Sequence, residues 1–138
     1  MNRESARQGL TEAIIALKAT FPGGIEVELP NQLTINLPQQ TAPWLKVKIV
    51  YKDGWQASLS RDRHHRTIGM LILEAWVPAG QGVKPANDIL EHFYKPIHMT
   101  DSVPGVRTMG AQPVDCFEKP GWQVTPVVVP FWFDDFDA

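Results

Sequence analysis

One cysteine, Cys116, is all the chain contains. No intrachain disulfide can form, which suits a reducing compartment. Charge of one sign is also missing: the formal net charge is −2, so no overall basic field draws the protein to nucleic acid, and any contact with DNA must be local. No long hydrophobic run occurs. The longest apolar stretches, around Met70–Leu73 and Val127–Phe133, fall far short of the ~18–20 residues needed to span a bilayer, so no membrane contact is expected. The opening MNRESARQGL has no apolar stretch after its charges, so a secretory signal is not expected either. Catalytic signatures are equally scarce. There is no Gly-x-Ser-x-Gly. Gly80-x-Gly82 lacks the third glycine of a dinucleotide fingerprint, with Pro85 and Ala86 near where it would stand.

What the sequence does have is an ordinary globular composition, 43% hydrophobic and 20% charged over 138 residues. That is enough for one domain, 1–138, with a real core. The 12 prolines are spread along the chain and read as punctuation between strands.

Residues 3–20 predict a helix with Leu10, Ala13, Ile14, Leu17 and Phe21 on one stripe, ended by Pro22-Gly23-Gly24. Ile25, Val27, Leu29 and then Leu33, Ile35, Leu37 alternate, predicting two short strands. Leu45, Val47, Ile49 and Tyr51 alternate with Lys46, Lys48 and Lys52, as a half-exposed strand does. Asp53-Gly54 is a hairpin signal, with WQASLS as the returning strand. RDRHHR (61–66) reads as a charged loop or hairpin tip.

Thr67–Val77 is apolar on both faces, so both should be covered, by helices or by a neighbouring subunit. Glu74 is its one internal charge. A second helix is predicted over 85–94 with Ala86, Ile89, Leu90 and Phe93 inward. Pro85 suits its first turn. Residues 95–106 read as loop and 107–118 as a weak strand broken by Pro113. In 121–133, Pro126 and Pro130 argue against a strand fully paired on both edges. DDFDA reads as an acidic aromatic tail, its Asp134 and Asp137 solvated like Asp88 and Glu91 on the helix. The whole predicts an α+β fold, a mostly antiparallel sheet with two helices on it.

Two groups of residues invite a functional reading. Arg61, Arg63, His64, His65 and Arg66 gather charge into six positions. Repeated around a ring they would form a collar able to meet DNA phosphates or an acidic neighbour. A metal at Asp62, His64 and His65 is the alternative, weakened because adjacent residues of a strand point to opposite faces. His92 has no second ligand at helical spacing. The run PFWFDDF cannot turn three consecutive aromatics into one core. Trp76, Phe131, Trp132, Phe133 and Phe136 are therefore expected at a subunit or partner contact.

The segments APWLKVKI (42–49), HRTIGMLILEAWVPAGQG (65–82), NDILEHF (87–93) and GWQVTPVVVPFWF (121–133) resemble the tail terminator proteins of long-tailed phages, and a phage-related domain family of unknown function. The likeness covers about 5–133, in order and at matching spacing. HMTDSVPGVR (98–107) departs from it.

The resemblance implies a structural virion protein without enzymatic activity or cofactor. It implies a hexameric ring, assembled in the host cytoplasm, that caps the head-proximal end of the tail tube, stops its polymerisation and meets the head–tail connector protein. DNA would pass through the lumen without being read. A head-closure protein or tube subunit is the alternative within the same assembly, and a small metal-dependent enzyme the alternative outside it.

Overall fold

The computed structural model describes residues 2–30, 32, 40–52, 55–56, 63–99 and 103–137, and for 55–56, 63–65 and 135–137 the backbone alone. The first helix, α1, spans Arg3–Ala19. Asn2 caps it, its Oδ1 accepting the Ser5 N–H at 2.8 Å and satisfying one orphan donor of the first turn, worth about 1 kcal/mol. Ala6, Leu10 and Ile14 are buried, with Ala13, Leu17 and Phe21 packed beside them. The predicted stripe is the observed one. The second helix, α2, spans Lys84–Tyr94 and buries Ala86, Ile89, Leu90 and Phe93, as its periodicity predicts. Gly80 and Gly82, both at positive φ, form the turn that reverses the chain into it.

The strands are β1 (Glu26–Glu28), β2 (Trp44–Tyr51), β3 (Trp55–Gln56), β4 (Arg63–Pro78), β5 (Arg107–Thr108), β6 (Gln112–Pro113), β7 (Phe117–Lys119) and β8 (Trp122–Asp137). They form one sheet in the order β1-β2-β4-β8-β5, with β3 on β4 and with β6 and β7 on β8. All pairings are antiparallel except β1 with β2. The fold is α+β, with both helices against a mostly antiparallel sheet.

Its spine is the β4–β8 ribbon, paired without interruption from Arg63↔Asp137 to Pro78↔Trp122. Leu71, Leu73, Ala75 and Val77 of β4, with Val127, Val129, Phe131 and Phe133 of β8, turn to the helices and form the main core. The opposite face carries a smaller buried cluster of Trp44, Trp76, Trp122 and Val124. Trp44 stacks on Trp76 at 4.9 Å, and Trp122 meets both edge-on.

Three local expectations change. First, β3 does not fold back on β2. Tyr51 faces Gly69 and Trp55 faces Arg66, so β2 and β3 lie on the same side of β4. The chain therefore runs on along β4. The Asp53-Gly54 dipeptide that suggested the turn lies outside the described residues, as does Leu33–Leu37.

Second, Arg63–Arg66 are strand, not hairpin tip, and Asp134–Asp137 are strand, not tail, because each pairs with the other. Third, β8 is paired on both sides despite Pro126 and Pro130. Their carbonyls accept Val114 N–H and Met109 N–H from the outer segment. An antiparallel residue directs its N and O to the same neighbour, so the missing proline N–H groups also point outward, where β5, β6 and β7 are short and interrupted. No hydrogen bond to β4 is lost.

Candidate functional site

The basic and the acidic segments come together on the ribbon. Arg63, His64, His65 and Arg66 lie opposite Asp137, Phe136, Asp135 and Asp134. Arg66 grips Asp134 in a two-point pair, Nε to Oδ1 at 2.9 Å and Nη2 to Oδ2 at 3.2 Å. That hydrogen-bonded carboxylate raises the guanidinium pKa and fixes the planar fork. The same guanidinium lies 3.8 Å from the centroid of the Trp132 ring, with Arg107 at 5.8 Å. Trp132 is thus an outward aromatic holding two arginines by cation–π contact. Asp134 is not a solvated charge.

Formal charge on the ribbon end comes to −1: Arg63 and Arg66 give +2, while Asp134, Asp135 and Asp137 give −3. Arg61 and Asp62 lie outside the described residues, as do the side chains of Arg63, His64 and His65. The metal alternative at Asp62, His64 and His65 therefore falls there too.

The expected aromatic contact divides by strand alternation. Phe131 is fully buried, Phe133 is 1% exposed and Trp76 is 6% exposed, so this chain's own core takes up all three. Trp132 alone is half-exposed, and the Phe136 side chain is outside the described residues. Alternation along β8 sends every second residue to the helices, which three consecutive aromatic letters do not reveal.

Sequence reasoning passed over three features. His92 ties the helices together, its Nε2 lying 2.8 Å from Leu17 O and 3.2 Å from Thr20 Oγ1. Glu74 is buried, but Lys48 Nζ donates to its Oε2 at 3.2 Å and Trp76 Nε1 to its Oε1 at 3.4 Å. Lys48 and Glu74 could have been paired from the alternating register of their strands. Arg107, in the loop that departs from the family likeness, gave no signal.

On the helix-free face of the sheet Ile68, Met70, Ile72, Val128 and Pro130 are half-exposed. Val50, Met109, Val114 and Phe117 are more exposed still, at 38–46%. The helices cover one face of β4. On the other, the described residues bury Trp44, Trp76, Trp122 and Val124 as a smaller cluster.

Across neighbouring strands Lys46 pairs with Glu28, Lys48 with Glu74 and Arg66 with Asp134. A family model described as phage tail terminator protein matches residues 9–131, which takes in most of α1, all of α2 and β8 as far as Phe131.

The chain belongs to the phage tail terminator family.

Membership supports a structural role in a phage tail for this terminator-family chain. A solved structure superposes over 100% of the chain and 99% of its own length, with a TM-score of 0.68 and 14% identity. At that identity the match shows a shared fold. No curated protein matches the chain.

Proposed function

We propose that the chain assembles as a hexameric ring on the head-proximal end of the tail tube, halts tube polymerisation and presents its far side to the head–tail connector. The observation that carries this reading is the terminator match across residues 9–131, because it includes both the helical layer and the β4–β8 spine. Assembly takes place in the host cytoplasm, and the ring then becomes part of the virion.

A cap must be rigid and must not itself propagate the tube. Sixteen paired positions on the ribbon supply rigidity, since two long strands locked in one register leave little freedom to slip. The outer edge of β8 is closed by three short strands, one of them containing Pro113, which discourages addition of a further strand. DNA passes through the lumen without being read. Where the ribbon ends line that lumen, Arg66 already holds Asp134. Phosphates therefore meet a nearly balanced surface rather than a trap.

Purified tubes lacking this protein, mixed with it and viewed by negative stain, test the reading. Density at one end of each tube, with growth arrested there, is expected. Binding along the tube wall, or continued growth at both ends, contradicts it.

A further inference from the structure

We propose that His98 is a pH-sensitive latch: its neutral ring clasps the outer segment of the sheet to the end of α2, and protonation releases it. His98 lies just past the end of α2 and is half-buried, so a proton can reach it from solvent. The Ala111 N–H donates to His98 Nδ1 at 3.1 Å. A ring nitrogen that accepts carries no hydrogen, so the ring is neutral with its proton on Nε2. Imidazolium carries N–H on both nitrogens. Two N–H groups cannot face one another at hydrogen-bond distance, so the protonated ring and the Ala111 amide must part.

What the ring holds is the closure of the outer β8 edge. Beside this bond, Thr108 Oγ1 donates to Ile97 O and Met99 N–H to Met109 O at 3.2 Å. The same segment meets β8 through Met109 N–H to Pro130 O at 2.8 Å and Val114 N–H to Pro126 O at 3.3 Å. β5 and β6, on either side of Ala111, are two residues each, so each remaining tie is short and opens locally at small cost. Losing the His98 bond loosens the segment and weakens its cover over the β8 edge.

His92, within α2, is the built-in contrast. Leu17 O, 2.8 Å from its Nε2, can only accept, so His92 donates from Nε2. A second proton goes to Nδ1, keeps that bond and adds positive charge at the C-terminal end of α1, where it is favoured. Acid therefore leaves the helix pair joined. The charged and titratable groups of the packed elements are Lys18 of α1, Glu91, Tyr94 and Lys95 of α2, and Arg107 of β5. Lys95 pairs with Glu91 at 3.5 Å, Arg107 lies over Trp132, and the Tyr94 ring meets His98 edge-on at 5.1 Å. Asp101 lies outside the described residues.

The test is hydrogen exchange of the full chain, read by mass spectrometry on peptides spanning Met109–Val114 and corrected for intrinsic exchange. It runs between about pH 7.5 and 5.5, across which an ordinary imidazole takes up its proton. Nitrogen NMR of the histidine rings follows protonation in the same samples. Wild type is compared with His92→Gln and with His98→Gln, which supplies an amide oxygen able to accept the same N–H without titrating.

Expected on acidification is a fall in protection of about three- to tenfold, the weight of one net hydrogen bond, in step with His98 protonation and against unchanged β4 peptides. His92→Gln should keep that fall and His98→Gln should lose it. Protection that stays flat while the His98 ring takes up its proton overturns the latch, as does a ring that stays neutral through the whole range. An undiminished fall in His98→Gln overturns it in favour of another group. The wild-type ring titration and exchange need no variant, so a misfolded His98→Gln does not end the test.

Discussion

Gly69→Ala should destabilise the chain, and the structure says by how much. Gly69 sits in β4 between Tyr51 on β2 and Phe131 on β8. A methyl group there would lie 2.4 Å from Phe131 Cζ and 2.9 Å from both Cε atoms, about 1 Å inside ordinary carbon contact. The ring cannot swing away, because Phe131 is fully buried and Tyr51 stands edge-on to it at 6.0 Å. Overpacking a tight site costs about 1–3 kcal/mol, and this clash belongs near the upper end. Replacing glycine in a strand returns about 0.5–1 kcal/mol of backbone entropy. The net loss is about 1–2.5 kcal/mol, a fall in Tm of roughly 3–8 °C for a chain of this size. Urea unfolding at low concentration measures it directly. The clash has a named partner, so the penalty should vanish when Gly69→Ala is made in a Phe131→Leu background, giving a coupling of about 1 kcal/mol or more. A Gly69→Ala protein as stable as wild type, or an equal loss in both backgrounds, would refute the reasoning.

Leu90→Ala, removing a side chain 3% exposed under α2, should cost about 2–4 kcal/mol, and a loss below about 0.5 kcal/mol in the same unfolding assay would mean that this helix face is not core. Burial raises the Tyr51 phenol above its usual range, with Arg7 and Arg3 pulling the other way. Because the folded pKa is the higher one, this contribution to stability is intact below pH ~10 and is lost as pH climbs through the folded value. Ultraviolet titration of phenolate should show a late-titrating tyrosine that Tyr51→Phe removes; an unchanged titration curve in that variant, apart from amplitude, would contradict it.

Much of the fold was legible because periodicity reports burial. Leu10, Ile14, Ile89, Leu90 and Phe93 repeat at helical spacing, and Leu45, Val47 and Leu71–Val77 at strand spacing, and all of these lie where the period puts them. What eluded sequence reasoning was decided by partners distant in the chain. RDRHHR reads as a loop on its own, since six polar residues show no apolar alternation. Its described part, Arg63–Arg66, is held as strand by Asp134–Asp137, some seventy residues away. DDFDA looks like a solvated tail until Arg66 is set beside Asp134.

Pro126 and Pro130 are four positions apart and so share a face of β8, and a proline tells the reader that an N–H is missing but not which side of the strand has lost it. The aromatic run divides for a related reason. Alternation places Phe131 and Phe133 inside and Trp132 outside, and only the ribbon register settles which. The half-exposed Met70, Ile72 and Val128 on the helix-free face were foreshadowed by a β4 strand apolar on both sides.

The central claim, that the chain terminates the tail tube, is tested most directly by tail length in phage lacking it. Electron micrographs of lysates from a deletion phage should show tails of uncontrolled length and filled heads without joined tails, both restored by supplying the chain in trans. Tails of normal length joined to heads would contradict the account.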